Sequence, residues 1–342
     1  MKEHTILVAK DGSGAFTSLQ EAIYQIPDDR DYPVTIYMKP GIYHEKIFIR
    51  KENINLIGEA SSETIIRYGD GAKTLRADGS EYGTFNSATV MFAGKDIYAE
   101  NITFENCAGN GKVAGQALSV YVASDRTVFK DCRFLGSQDT IFTGDLNPGT
   151  MKRLMLPEAF INSSVPIYYT NRRNYFDSCY ICGDVDFIFG PNTAYFSNCE
   201  IFSKKLESEC GSFITAASTP MSQEYGFVFY KCKLTSDDKE GSVYLGRPWR
   251  DYAKTAFLCC ELGSHIKPEG WHNWGKANAE ITSCYIEYGN YGPGAYTQND
   301  TDANHKNAKR VPFSKQIDNP DVLDYYSLSR VLGGEDNWQP IV

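Results

Sequence analysis

Short β-rich runs that return at roughly 20 to 30 residues, cysteines that recur in one phrase, and almost no helical patterning after Pro27 predict an all-β fold for this 342-residue chain. The architecture they point to is a right-handed parallel β-helix with a short N-terminal capping helix and a C-terminal tail of helix and loop, because a solenoid buries side chains of equal phase against the next coil.

Taken in order, Asp11-Gly12-Ser13-Gly14 is a turn, and Ser18-Leu19-Gln20-Glu21 is a capping-box pattern. It starts a helix through Ala22, Ile23 and Ile26 that stops at Pro27 and covers the open end of the stack. Strands follow at Val34-Thr35-Ile36-Tyr37, Ile47-Phe48-Ile49, 54–58 and 88–92. Later rungs are predicted at 102–104, 127–129, 186–189, 194–196, 226–229 and 256–258. The stretch 297–309 is polar enough for an excursion, 325–332 is predicted to be a helix, and Trp338 packs the tail. The whole chain, 1–342, reads as one domain with an insertion at about 145–171 and an irregular tail at about 295–342.

Nearly all of the ten cysteines follow one pattern, as in Asn106-Cys107, Asp131-Cys132, Ser178-Cys179, Asn198-Cys199, Lys231-Cys232, Cys259-Cys260 and Ser283-Cys284. Cys107 to Cys132 and Cys259 to Cys284 each span 25 residues, about one structural repeat. Cys179 and Cys182 have metal-type spacing, yet no second pair and no His accompany them, so the cysteines read as free, buried, structural thiols and no metal site is expected.

A net charge of -9 disfavours nucleic acid, and no run approaches the roughly 18 apolar residues of a membrane span. The start, Met1-Lys2-Glu3-His4, opens into a strand-like segment without the apolar core of a signal peptide, which gives a cytoplasmic expectation unless a leader has been removed. A monomer acting on a neutral or weakly charged substrate fits this surface.

Two carboxylates stand out. Asp139 lies in Gly136-Ser137-Gln138-Asp139-Thr140, and Asp186 in Gly183-Asp184-Val185-Asp186-Phe187-Ile188-Phe189-Gly190, where its neighbours are apolar. A single such Asp is usually a turn residue or the partner of an Arg. Two brought together in low dielectric titrate apart, one ionised and one protonated, which separates a nucleophile or base from an acid. Leu245-Gly246-Arg247-Pro248-Trp249-Arg250 supplies a cation in a turn fixed on both sides of Arg247, with a flat ring beside it.

Beyond these features, the chain resembles the pectin methylesterases (pectinesterases). The phrases that carry the resemblance run from 8–14 and Gly41-Ile42-Tyr43-His44-Glu45, through Ser87-Ala88-Thr89-Val90 and Gln116-Ala117-Leu118, to both Asp segments, Gly246-Arg247-Pro248-Trp249, Gly270-Trp271 and Trp338. The resemblance implies a galacturonan-binding groove and hydrolysis of C6 methyl esters to methanol and carboxylate, without metal or cofactor. It implies Asp186 as nucleophile, Asp139 as general acid/base, Gln116 and Gln138 as amide donors at the oxyanion, and Arg247 holding Asp186 ionised. Trp249 would offer its face to a sugar, unless it is core. Phe189 and Tyr225 would also touch the sugar, with an inward rung and a loop anchor as their respective alternatives. His44, His265 and His272 read as exposed loop residues.

Two departures from the family pattern stand in the sequence. Asp184 replaces the usual Thr, and two residues apart on an extended strand it would face the same side as Asp186, raising its pKa or meeting substrate. The 47 residues from Asp139 to Asp186 are about twice the usual separation; the surplus at 145–171, with Lys152, Arg153, Tyr168 and Tyr169, is expected to overhang the groove and favour short oligogalacturonates over long pectin. A binding solenoid with a dead site need not keep Gln116, Gln138, Asp139, Asp186 and Arg247 together. A pectate lyase would want a calcium-binding acidic cluster, and a polygalacturonase a more acid-rich centre.

Overall fold

The computed structural model describes residues 4–144, 171–206, 211–296 and 310–340, so the overhang expected of 145–171 lies, but for its last residue, outside the described residues, as do the excursion at 297–309 and Cys210. The chain divides into two compact units, Met1–Tyr180 and Ile181–Ile341. It is an all-β solenoid of parallel strands, as the sequence predicts, and each unit contributes strands to three sheets.

In the first unit one sheet runs His4–Val8, Val34–Met38, Ile54–Gly58, Lys95–Glu100, Asp125–Lys130, Arg173–Asp177, all parallel. A second runs Ile47–Ile49, Val90–Phe92, Val120–Val122, Ile141–Thr143. In the second unit the corresponding orders are Thr193–Ser197, Phe227–Tyr230, Lys254–Leu258, Cys284–Tyr288, Ser314–Ile317, and Val185–Gly190, Ser212–Ala217, Val243–Gly246.

Registry places like on like. Leu56, Ala99, Phe129 and Phe176 pair in one column of the first unit. In the second, Phe196, Phe229 and Phe257 stack at 4.5 and 4.4 Å with rings 8° from parallel. Each such ring is buried, a gain of about 1.5–3 kcal/mol against exposure. The column continues through Glu287 to Gln316, and the buried carboxylate of Glu287 accepts from Arg310 at 2.9 and 3.0 Å and from the Trp271 indole at 3.2 Å. A carboxylate there without those donors would be costly.

The cysteine phrase has a backbone cause. Asp131, Ser178, Asn198, Lys231 and Cys259 all sit at φ between 50° and 55°, a left-handed corner, and the following thiol turns inward. Cys132, Cys179, Cys232 and Cys260 donate to the carbonyls of Ala99, Phe129, Phe196 and Phe229 at 3.4 to 3.5 Å. Two members of the phrase are exceptions: Cys107 is exposed and Cys284 begins a strand, so the 25-residue spacings drawn through them do not mark equivalent corners. Nine described cysteines are free, six of them buried. Burial pushes the Cys132 thiol up to about 12, which makes it inert at neutral pH.

Helix α1, Leu19–Tyr24, buries Leu19, Ala22 and Ile23 and is capped by Ser18, whose Oγ accepts from the Glu21 N–H at 3.2 Å. The reciprocal partner is Glu45 where the capping box would use Glu21: its carboxylate accepts from Ser18 Oγ at 2.7 Å and from the N–H groups of Leu19 and Gln20. The anticipated tail helix is two, Asp321–Tyr325 and Leu328–Gly333, broken at Tyr326 and Ser327. His265 also departs from expectation, since it is buried and burial holds its imidazole down to about 4.

Candidate active site

Asp186 is the second residue of the strand Val185–Gly190, and there its φ is 51°. Pairing with Ser212–Ala217 shifts register between Val185 and Ile188, so the strand bulges at this residue and re-aims its side chain. A left-handed non-glycine costs about 1–2 kcal/mol, a cost that Asp tolerates better than most residues. Asp139, at φ 64°, shares this conformation. Such outliers, two among the buried acids, mark positions where the fold holds a side chain against local preference.

Arg247 donates to both oxygens of Asp186, Nε to Oδ1 at 2.8 Å and Nη2 to Oδ2 at 2.6 Å, a bidentate fork. The guanidinium carbon lies 3.8 Å from the ring centroids of both Phe213 and Trp274, which fixes the plane of the fork. The backbone of Arg247 is held by its N–H to Thr215 O at 2.9 Å. Gly246 is obligatory beside it, since a Cβ there would fall 2.0 Å from Thr215 Oγ1. Lys276 pins the same turn by donating to the carbonyls of Pro248 and Trp249 at 2.8 and 3.0 Å. Burial pushes the Asp186 carboxyl above the usual carboxylate range, while Arg247 and, more weakly, Lys276 pull it back.

In the first unit, Asp139 is 8% exposed. Gln138 and Gln116 occupy neighbouring coils: the Ala117 N–H donates to Gln138 O at 3.0 Å, and the Ala72 N–H to Gln116 O at 2.7 Å. Both side chains are half-buried, and neither amide has a hydrogen-bond partner among the described residues. Two amide donors near solvent, with no partner among the described residues, are available to an anion.

A pectinesterase family model matches residues 5–146 and 160–315. The chain belongs to the pectinesterase family. It is 34% identical over 321 residues to Pectinesterase 31 of Arabidopsis thaliana, covering 91% of this chain and 87% of that one. It is 35% identical to Pectinesterase/pectinesterase inhibitor 18 of the same plant, of which it spans 51%. Among solved structures, the pectin methylesterase from carrot superposes with a TM-score of 0.78 at 28% identity, over 98% of this chain and 97% of that one. A pectin methylesterase in complex with a hexasaccharide gives 0.75 at 27%, over 98% of each chain.

The sugar-contact residues expected in this pectinesterase divide. Trp249 is half-buried and meets Phe189 edge-on at 5.6 Å and 63°, with Arg250 over its ring at 4.9 Å. Phe189 itself is only 3% exposed and supports the Trp249 ring from within. Tyr225 follows its alternative reading as an anchor rather than a sugar contact: it is buried against Tyr325 and Tyr326 of the tail at 5.3 and 6.0 Å. Phe213, Trp274 and Lys276 carry no local motif and are not among the expected residues: Phe213 and Trp274 meet Arg247, and Lys276 meets its turn, from segments distant in sequence. His272 is half-buried, packs on Phe213 and Tyr244, and accepts from the Trp274 N–H at 2.9 Å.

The i, i+2 argument for Asp184 fails because the bulge at Asp186 breaks the alternation. Asp184 turns to its own Val185 N–H at 2.7 Å. Burial raises its pKa, with that N–H and Lys204 opposing. A folded-state pKa raised above the unfolded 3.8 means that ionisation destabilises the fold as pH rises, and that nothing is lost below the unfolded value. Asp184→Asn should therefore raise Tm at pH 7 and leave it unchanged near pH 3. An equal gain at both pH values would mean that the charge is not the cause.

Arg247→Lys is expected to lower kcat by about 10²-fold, since an ammonium supplies neither the fork nor the flat face that rests on Phe213 and Trp274. Wild-type turnover in that variant would remove Arg247 from the site.

Proposed function

We propose that this chain hydrolyses the C6 methyl esters of galacturonan by a two-step mechanism in which Asp186 is the nucleophile and Asp139 the general acid/base. The ionised Asp186 attacks the ester carbonyl carbon, the bond to methoxide breaks, and Asp139 gives its proton to the departing oxygen, so methanol leaves and an anhydride joins enzyme to substrate. Asp139 then takes a proton from water and hydroxide attacks the galacturonate carbonyl of the anhydride; the bond to Asp186 breaks, releasing ionised Asp186 and the galacturonic acid carboxyl, which gives its remaining proton to solvent. Gln116 and Gln138 donate to the oxyanion of both tetrahedral intermediates, each donor being worth a few kcal/mol. Trp249 offers a partly exposed face to a sugar ring.

The observation that carries this reading is the fork from Arg247 to a buried, bulged Asp186, which orients one carboxylate and favours its charged form. Methylated pectin incubated with the enzyme should yield methanol and carboxylate in equal amounts. Unsaturated products would indicate a lyase instead, and new reducing ends a glycosidase.

A monomer is proposed on the same terms, with residues 1–342 acting as one catalytic domain; the family match runs through both units. A reducing compartment is proposed from the six buried free thiols. Thiol titration in denaturant without reductant should find nearly all ten, whereas two or fewer would indicate disulfides and an exported enzyme.

A further inference from the structure

Among the described residues the Gln138 amide has no hydrogen bond to hold it, yet an oxyanion donor works only if its N–H is aimed before the substrate arrives. What lies against it is Gly111, the first residue of the four-residue helix α2, Gly111–Ala114. That helix is fixed at its start by Asn110, whose side chain accepts from the Val113 N–H at 3.3 Å. A Cβ on Gly111 would fall 2.5 Å from the Gln138 amide oxygen, 3.2 Å from its Cβ and 3.4 Å from its Cδ.

The backbone does not require glycine there, because φ at Gly111 lies outside the left-handed region, unlike Gly109 at 102° and Gly115 at 71° on either side. A helical position that tolerates alanine would ordinarily favour it. What the glycine provides at the nearest contacts is room for the Gln138 side chain.

We propose that Gly111 is a positioning residue for the ester hydrolysis: its bare Cα is the surface on which the Gln138 amide rests, and so sets where that N–H points. A side chain at 111 would turn Gln138 to another rotamer and swing its donor off the oxyanion, while leaving sugar binding to other groups. The inference rests on the reading of Gln138 as an oxyanion donor.

The test is a double-mutant cycle on methylated pectin with wild type, Gly111→Ala, Gln138→Ala and the double variant, recording kcat, KM and Tm. Gly111→Ala is expected to lower kcat about 10-fold with KM within about twofold, and Gln138→Ala to lower it about 10²-fold. In the Gln138→Ala background the Gly111→Ala change should alter kcat by less than about twofold, since its target is gone, and any Tm lost in the single variant should return. Wild-type kcat in Gly111→Ala, or the same fold loss in both backgrounds, overturns the role of Gly111 and leaves that of Gln138 standing. Wild-type kcat in Gln138→Ala overturns both.

Discussion

Asp186→Asn is expected to reduce methanol release by about 10⁴-fold or more while the protein stays folded. The amide is nearly isosteric with the carboxylate, so the bulge and its packing survive, but a neutral amide is not a nucleophile toward an ester. One end of the Arg247 fork loses its acceptor. That costs about 1–3 kcal/mol, within a typical stability of about 5–15 kcal/mol, and the guanidinium keeps its ring contacts with Phe213 and Trp274. Far-ultraviolet circular dichroism and a single thermal transition check the fold. The same carboxyl sets the acid limb of activity: it must be ionised to attack, and burial raises its pKa, so kcat/KM of the wild type should fall as pH drops through a value above the usual carboxylate range.

Asp139→Asn is expected to cost about 10²–10⁴-fold on methyl esters, the usual worth of a general acid/base. Its two roles can be separated. Methoxide needs a proton to leave, whereas trifluoroethoxide does not, so a trifluoroethyl galacturonate ester should acylate the variant nearly normally. The second step still lacks its base, and acyl-enzyme should accumulate as a burst of alcohol followed by a slow phase. Equal losses on both esters, without a burst, would place Asp139 outside the proton transfers.

Much of this was legible because it is periodic or local. Phe196, Phe229 and Phe257 recur at one phase, and Asp131 and Asn198 are residue types that accept a left-handed corner, so rungs and some corners leave a trace in the chain. Gly246-Arg247-Pro248 is likewise a self-contained turn. What stayed hidden depends on residues far apart in sequence. Glu45 replaces the expected capping partner of Ser18 from 27 residues away, and Phe213 and Trp274 meet Arg247 from different coils. The bulge at Asp186 cannot be read from Val185-Asp186-Phe187, and a regular strand without it would face Asp184 the same way. His265 was misplaced for a related reason, since a loop-like phrase does not reveal that it will be covered, and the same burial gives Tyr225 its alternative role as an anchor.

The central claim is that an ester carbonyl becomes covalently attached to one particular carboxylate, and trapping tests it most directly. Hydroxylamine added during turnover attacks an anhydride, and attack on the enzyme side leaves a hydroxamate on the nucleophile. Peptide mapping of enzyme quenched in the presence of methylated oligogalacturonate should find that mark on Asp186, dependent on substrate and absent from Asp186→Asn. A hydroxamate on Asp139 with Asp186 unmodified would contradict the account.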